Sequence, residues 1–313
     1  MNPVSPKVSA VILNIFDMPG LVECLRSLDK TSYENLEIIV VHNGPGNNEF
    51  EKEIRRASAK ISEVFFTGFN SGFAAGNNAG IRRALQRGAD YVLLLNDDTV
   101  VAPDFLGLLV EEARKDLSIG MAGPRIMSFS VRDKIWFSGA RFNMAECVFT
   151  YPGTGENEAE YGHFQPVETD YVTGCAVLVS KKLIETVGLL DERFFLYWED
   201  SDWGLRASVA GFKNMLVPAS KVWHKVSASS GGNDSPFKIY HKTRSHLIFA
   251  CSHCPRLVAG LAFRFMRDAA WLVLKSGTER RYVKAAAYLA GAAAYFTGST
   301  GPGPDWLRTG GLQ

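Results

Sequence analysis

The chain predicts an α/β fold: a doubly wound, mostly parallel sheet followed by C-terminal helices. Two patterns carry this. Short β-type runs alternate with helical segments of roughly 10–15 residues through the first part of the chain, the signature of a parallel sheet with crossover helices. The runs are also continuously apolar, as strands buried on both faces must be, and three of them stop abruptly in polar loops.

The first run, VSAVILNI (8–15), precedes a helix near MPGLVECLRSLDK. LEIIVVHN (36–43) is the second strand and ends in the loop NGPGNN. ISEVFFT (61–67) is the third, followed by a Gly-rich turn and the helix NNAGIRRALQRG. YVLLLN (91–96) is the fourth, and a helix follows from Pro103, a residue suited to a first helical turn. Open sheets of this kind bind ligands beyond the carboxyl ends of their strands. The loops HNGPG, GFNSG and NDDT lie at that edge.

The second half is less regular. Residues 126–170 read as hairpins and loops, and YVTGCAVLVS (171–180) as a buried run. A short helix KKLIETVG, an aromatic and acidic block RFFLYWEDSDWGLRASVAG, and a strand pair around NMLVP and KVWHKV follow. SASSGGNDSP (227–236) is a flexible loop by composition. Helices and a Gly/Pro-rich tail (298–313) finish the chain, and no internal repeat is visible.

With 313 residues, 46% hydrophobic and 21% charged, the chain can build one large domain or two modest ones. A net charge of +1 gives no reason to expect nucleic-acid binding. Five scattered cysteines argue against a disulfide framework and fit a reducing cytosol. The start, MNPVSPKVSAVILNIF, lacks the pattern of a signal peptide. Leu257–Leu274 is long and apolar but carries Arg264, Arg267 and Asp268, which argues against a membrane span. An amphipathic helix on a membrane surface and a helix packed on the catalytic domain or a second subunit both fit it.

Asn96-Asp97-Asp98 closes the fourth strand on two adjacent carboxylates, which repel each other beside an apolar sheet. Such a pair can hold a hard divalent cation that also takes phosphate oxygens; it can also simply form a turn. Glycines 72, 76 and 80 in FNSGFAAGNNAG allow a ligand close to the backbone, or allow close helix packing. Glu199, Asp200 and Asp202 share about one helical turn, flanked by Tyr197, Trp198 and Trp203. Acids at a helix start stabilise its dipole, while rings beside carboxylates suit a sugar and a carboxylate there can act as general base. His224 in VWHKV, alone, reads as structural more readily than as a ligand. Cys251 and Cys254 have CxxC spacing with no second pair to complete a structural zinc site.

The order of VILNIFD, VVHNGPGN, GFAAGNNAGI, LLNDDT, the long block from TGCAVLVS to RASVAGF, and VWHK resembles the family 2 glycosyltransferases of GT-A fold, a Rossmann-like sheet architecture. It is most similar to the bacterial branch containing rhamnosyl- and galactofuranosyltransferases of surface polysaccharide synthesis. The resemblance covers residues 8–245, implying a catalytic domain over 1–245 and leaving 246–313 as a helical extension, for which the residues of 257–274 leave a membrane surface or a partner copy open.

That resemblance implies a role for each residue. Asp98 ligates Mg²⁺ or Mn²⁺ under the donor diphosphate, with Asn96 and Asp97 supporting metal or ribose and His224 completing the metal site. Asp200 is the catalytic base, with Trp198 and Glu199 facing the acceptor. Asn14, His42, Asn43, Gly72 and Asn77 hold the nucleoside, and Arg244 also serves the donor. His42-Asn43 stands where the family usually has Asp-Asn; a neutral histidine still accepts a hydrogen bond through one nitrogen. The motif is N-D-D rather than D-x-D.

The implied reaction is inverting transfer of a sugar, with dTDP-rhamnose as the expected donor, to a glycan or lipid-linked glycan hydroxyl. The expected setting is the cytoplasm or the inner face of the cytoplasmic membrane, with no nucleic-acid partner. SASSGGNDSP is the candidate lid. Alternatives are a nucleotidyltransferase, disfavoured by NIFDMPG after the first strand where a basic Gly-rich loop belongs, an inactive nucleotide-sugar-binding module, and a lipid-surface scaffold.

Overall fold

The computed structural model describes residues 5–46, 48–225, 235–275 and 280–307. β1 (Val8–Asn14), β2 (Leu36–His42), β3 (Ile61–Phe66) and β4 (Tyr91–Asn96) form a parallel half-sheet in the order β4-β1-β2-β3. The connections are α1 (Met18–Asp29), α2 (Asn48–Ala57) and α3 (Phe73–Gln86). The pattern reading had no helix at α2. It is highly charged, and only Phe50 and Ile54, four apart, turn inward. α3 begins at Phe73, four residues before the expected NNAG start.

The remaining elements extend the sheet. They are β5 (Thr99–Val101), α4 (Phe105–Lys115), β6 (Ile119–Ser128), β7 (Ile135–Phe137), the hairpin β8 (Arg141–Asn143) and β9 (Val148–Thr150), α5 (Glu158–Tyr161), β10 (Val167–Glu168), β11 (Ala176–Ser180), α6 (Lys181–Val187), α7 (Glu199–Val209) and β12 (Lys213–His224). The full order is β10-β12-β6-β11-β4-β1-β2-β3, with β5 on β12 and β7 on β6. β11 runs antiparallel between β4 and β6. Helices α1, α2 and α4 cover one apolar face of the sheet, and α3, α6 and α7 the other.

One expectation is corrected here. NMLVP and KVWHKV are not a strand pair but one strand, β12, parallel to β6, with a register break between Val217 and Lys221. Pro218, which lacks an N–H for the ladder, falls in that break, as a bulge allows. The run 171–180 is buried as expected, with Ala176–Ser180 as strand and Thr173–Cys175 turning to meet α7.

Beyond β12, α8 (Pro236–His253), α9 (Val258–Leu274) and α10 (Arg281–Phe296) pack as a helical layer. α8 runs without interruption through residues 245 and 246. It is tied to the sheet domain by His253 Nε2 at 2.8 Å from Asp202 Oδ1 and by Ser245, which donates to Leu196 O at 2.9 Å. Of the expected lid, residues 227–234 lie outside the described residues. Among the described residues, no helix is long and apolar enough to cross a membrane.

Candidate active site

The carboxyl ends of β1, β2 and β4 bring Asn14, His42 and Asn96-Asp97-Asp98 to one edge. Asn14 lies opposite His42 on one side, while Leu13 lies opposite Asn96 on the other. Asn14 Nδ2 donates to Asp97 Oδ2 at 2.7 Å and to Asp17 O at 3.1 Å, so its Oδ1 faces His42 Nδ1 at 3.1 Å. His42 packs against Phe50 and Phe66, with ring centroids 4.3 and 5.7 Å away. Burial lowers its pKa, so the ring is neutral. Asp97 is pushed up to about 7, first by burial and then by the charge of Asp98.

His224 reaches this edge through a pairing the sequence pattern did not show. β5 folds back antiparallel onto the end of β12, with Thr99 opposite His224, and Lys225 N–H donates to Asp98 O at 2.9 Å. His224 Nε2 therefore lies 3.1 Å from Asp98 Oδ1, with the two residues 8% and 7% exposed. Burial alone would lower the pKa of His224. Cys175 and Asp98 beside it reverse that and bring it up to about 10.

Asp200 arrives from a third direction. Tyr197 and Trp198 both have positive φ, 68° and 73°, immediately before α7. Two bulky residues in that region are uncommon, and such backbone strain clusters where a site must be held in one geometry. The turn delivers Glu199 and Asp200 at the helix start. Asp200 accepts from Gly174 N–H at 2.9 Å, from Ser201 N–H at 2.7 Å and from the Ser201 hydroxyl at 3.2 Å. Burial raises its pKa against these bonds. Next along the turn, Cys175 O accepts from Asn96 N–H at 2.9 Å. One three-residue turn, Thr173–Cys175, thus joins Asp200 to the acidic edge. Glu199 is 5% exposed, and its pKa is raised well above normal by burial and then by Asp200.

Trp198 stacks on His246 at 4.1 Å and packs against Phe249 and Phe149. Neutral His246, whose pKa burial lowers to about 4, donates from Nε2 to Cys147 O at 2.7 Å. Sequence reasoning missed Tyr151 and Tyr171. Their hydroxyls lie 3.3 Å apart, and the charge of Asp200 helps raise both phenol pKa values. Tyr171 is buried and Tyr151 is 47% exposed, forming a wall beside Asp200. For Tyr151 the aromatics of 126–170 were the available signal, while Tyr171 opens the buried run 171–180.

Four of the expected donor residues have partners inside the fold. Asn43 donates to Gly72 O and accepts from Ser71 and Thr67, so it fixes the 67–72 loop. A side chain at Gly72 would strike Phe195 O at 2.6 Å, and that same oxygen accepts from Phe73 N–H, so the start of α3 is covered. Gly76 and Gly80 pack α3 against Leu13, Val11 and Val41. Asn77 donates within its own helix to Phe73 O. Arg244 is fully buried, donating to Gly301 O at 2.8 Å and to the Tyr240 hydroxyl at 3.5 Å. It holds the C-terminal tail against α8, because α8 turns this position into the protein interior.

The donor chemistry of Asp98 and His224 suits a divalent cation. A carboxylate oxygen and a neutral imidazole nitrogen are ligands Mg²⁺ or Mn²⁺ accepts, and His224 Nε2 faces Asp98 Oδ1 at 3.1 Å, so a cation between them would take the place of the histidine's proton. Among the described residues no cluster of three or more His, Cys, Asp or Glu side chains could hold a metal.

Comparison with known proteins places this geometry. The model of glycosyl transferase family 2 matches residues 10–188. dTDP-rhamnosyl transferase RfbF of Shigella flexneri is 25% identical over 249 residues, covering 77% of this chain and 80% of that protein. An N-acetylglucosaminyl-diphospho-decaprenol L-rhamnosyltransferase of Mycobacterium tuberculosis is 23% identical over 253 residues, covering 75% and 81%. The crystal structure of GalNAc-T7 with UDP, GalNAc and Mn²⁺ aligns with a TM-score of 0.62 at 16% identity, over 78% of this chain and 48% of that one. The architecture is thus the GT-A fold. The matched segment contains the ends of β1, β2 and β4 and the turn that holds Asp200, and the chain belongs to glycosyl transferase family 2.

Proposed function

We propose that the chain transfers a sugar, with inversion, from a nucleoside-diphosphate donor to a glycan or glycolipid hydroxyl in surface polysaccharide synthesis, and that the donor is dTDP-rhamnose. The observation that carries the reading is the Thr173–Cys175 turn. It fixes Asp200 by Gly174 N–H while its next residue bonds Asn96, so base and acidic edge form one rigid unit.

Asp200 accepts the proton of the acceptor hydroxyl as that oxygen bonds to the anomeric carbon, and the sugar–phosphate bond breaks with its electron pair leaving on the diphosphate. Burial makes Asp200 a stronger base than an ordinary carboxylate, and three hydrogen bonds keep it ionised and aimed. Asp98 and His224 would hold a divalent cation, which when bound neutralises charge developing on the leaving diphosphate. Tyr151 and Trp198 offer rings beside Asp200 for the acceptor sugar.

The rhamnosyl relatives and His42 together support the thymidine donor. With Nδ1–H directed at Asn14 Oδ1, Nε2 of a neutral His42 is the ring's acceptor, matched to the imide N–H of thymine or uracil. Thermal-shift titration with dTDP-rhamnose, UDP-sugars and GDP-mannose plus Mn²⁺ tests the donor, since binding to the folded state raises the melting temperature. A shift with dTDP-rhamnose alone supports the assignment; a shift with GDP-mannose alone overturns it.

A further inference from the structure

We infer that α9 and α10 form a surface that seats the protein on an anionic lipid bilayer. Both helices have a buried face toward α8, with Leu261, Phe265 and Ala269 from α9 and Ala285 and Ala292 from α10. Each also has a second apolar face turned to solvent. On α9 the strip is Ala259, Phe263, Met266, Ala270, Val273 and Leu274, spaced along one side of a helix. On α10 it is Tyr282, Ala286, Leu289, Ala293 and Phe296, with no charged residue in the series. Phe263, Leu274 and Phe296 are 65%, 83% and 65% exposed. Ala259 and Met266 meet Leu289, Ala293 and Phe296 across a shallow groove, so the two strips are one continuous patch.

Charge selects the occupant. Residues 256–284 contain seven Lys or Arg (Arg256, Arg264, Arg267, Lys275, Arg280, Arg281, Lys284) against Asp268 and Glu279, a net +5. The whole chain is only +1, with 34 basic and 33 acidic residues, so everything outside this segment sums to −4. The positive charge is therefore concentrated on the segment that carries α9 and the start of α10. At the junction of the two helices Lys275 lies over the Trp271 ring at 4.4 Å and Arg281 over Tyr282 at 4.8 Å. Amphipathic aromatic rings beside cations match the headgroup layer, where each finds both an apolar and a polar environment. A second copy seated face to face through the same patch would set basic rim against basic rim, which the like charges oppose.

The surface is independent of which sugar the enzyme transfers. The test floats the full chain with phosphatidylcholine vesicles, with and without phosphatidylglycerol, at low and high salt. Recovery with the anionic vesicles alone, lost at high salt, is the expected result. Lys275→Gln with Arg280→Gln, both at exposed positions, should weaken partitioning roughly 30-fold, from about 1 kcal/mol per basic residue. Leu289→Asp should abolish it, with helicity and the donor-induced thermal shift checked on each variant. Equal recovery with neutral vesicles, no recovery with either, or unchanged partitioning of the glutamine variant overturns the proposal. So does a dimer in light scattering that Leu289→Asp dissociates, which gives the face to a second copy.

Discussion

Asn14 Oδ1 and His42 Nδ1, 3.1 Å apart at the ends of neighbouring strands, settle which imidazole nitrogen carries the proton. Asn14 spends both its N–H groups on Asp17 and Asp97, leaving only an acceptor for His42. The histidine must donate there and can accept only through Nε2. Its substitution by Phe keeps the packing against Phe50 and Phe66 and removes the acceptor. The KM for the donor should rise about tenfold, the worth of one net hydrogen bond, with kcat little changed. Unchanged KM in steady-state kinetics would show that His42 does not read the base.

Asp200→Asn should lower kcat by about 10²–10⁴-fold, the usual weight of a general base, while donor affinity by calorimetry stays near wild type. In the native enzyme, burial raises the pKa of this carboxylate above the ordinary 3.8. Activity should therefore fall, as pH decreases, through a value above 3.8, and the residual activity of the Asn variant should lack that acid limb.

Glu199 gives a pH effect on stability instead. Its folded pKa lies well above the ordinary 4.5 because burial disfavours the charge. The unfolded chain ionises first, so the folded state is progressively penalised as pH rises above about 4.5. Glu199→Gln should raise the melting temperature at neutral pH, by about 1–3 °C per kcal/mol recovered in a chain of this size. The gain should vanish near pH 4 in calorimetric scans. A gain that persists at low pH would mean relief of strain and not of ionisation.

Asp98→Asn and His224→Ala should each abolish the part of donor affinity that EDTA removes, leaving the metal-independent part unaltered. Isothermal titration of the donor with Mn²⁺ and with EDTA separates the two. Should either variant keep the full Mn²⁺ increment, that side chain is not a ligand.

Arg244→Met should cost about 1.5–3 kcal/mol of stability through its charged hydrogen bond to Gly301 O, with the donor KM unaffected. A raised KM without lost stability would return Arg244 to the donor site.

The parallel half-sheet was legible because each strand is a continuous apolar run and each crossover has its own punctuation. Asp97 and Asp98 were legible as edge residues for the same reason. Asp200 and His224 drew their roles from motif order, since nothing in a lone histidine announces that β5 will pair with β12. α2 was hidden because two inward side chains suffice to seat it. Asn43, Gly72 and Arg244 share a local engagement that the sequence pattern did not show. Each is polar or small, in the right segment, yet consumed by the backbone around it, and hydrogen-bond bookkeeping of that kind is invisible in one dimension. Tyr151 was missed because it sits past a two-stranded hairpin whose position depends on packing against α8 and Trp198.

The register of β5 on β12 has a bearing on synthesis. Asp98 leaves the ribosome with the first half of the sheet, whereas His224 is the last residue of the final strand. Side chains alternate faces along a strand, so a slip of one position would turn His224 away from Asp98. A nascent or truncated chain can thus complete the strands β1 to β4 and still lack the histidine that faces Asp98. The Asp98–His224 pair arrives only with the closing strand in register, which makes it a check on the whole sheet.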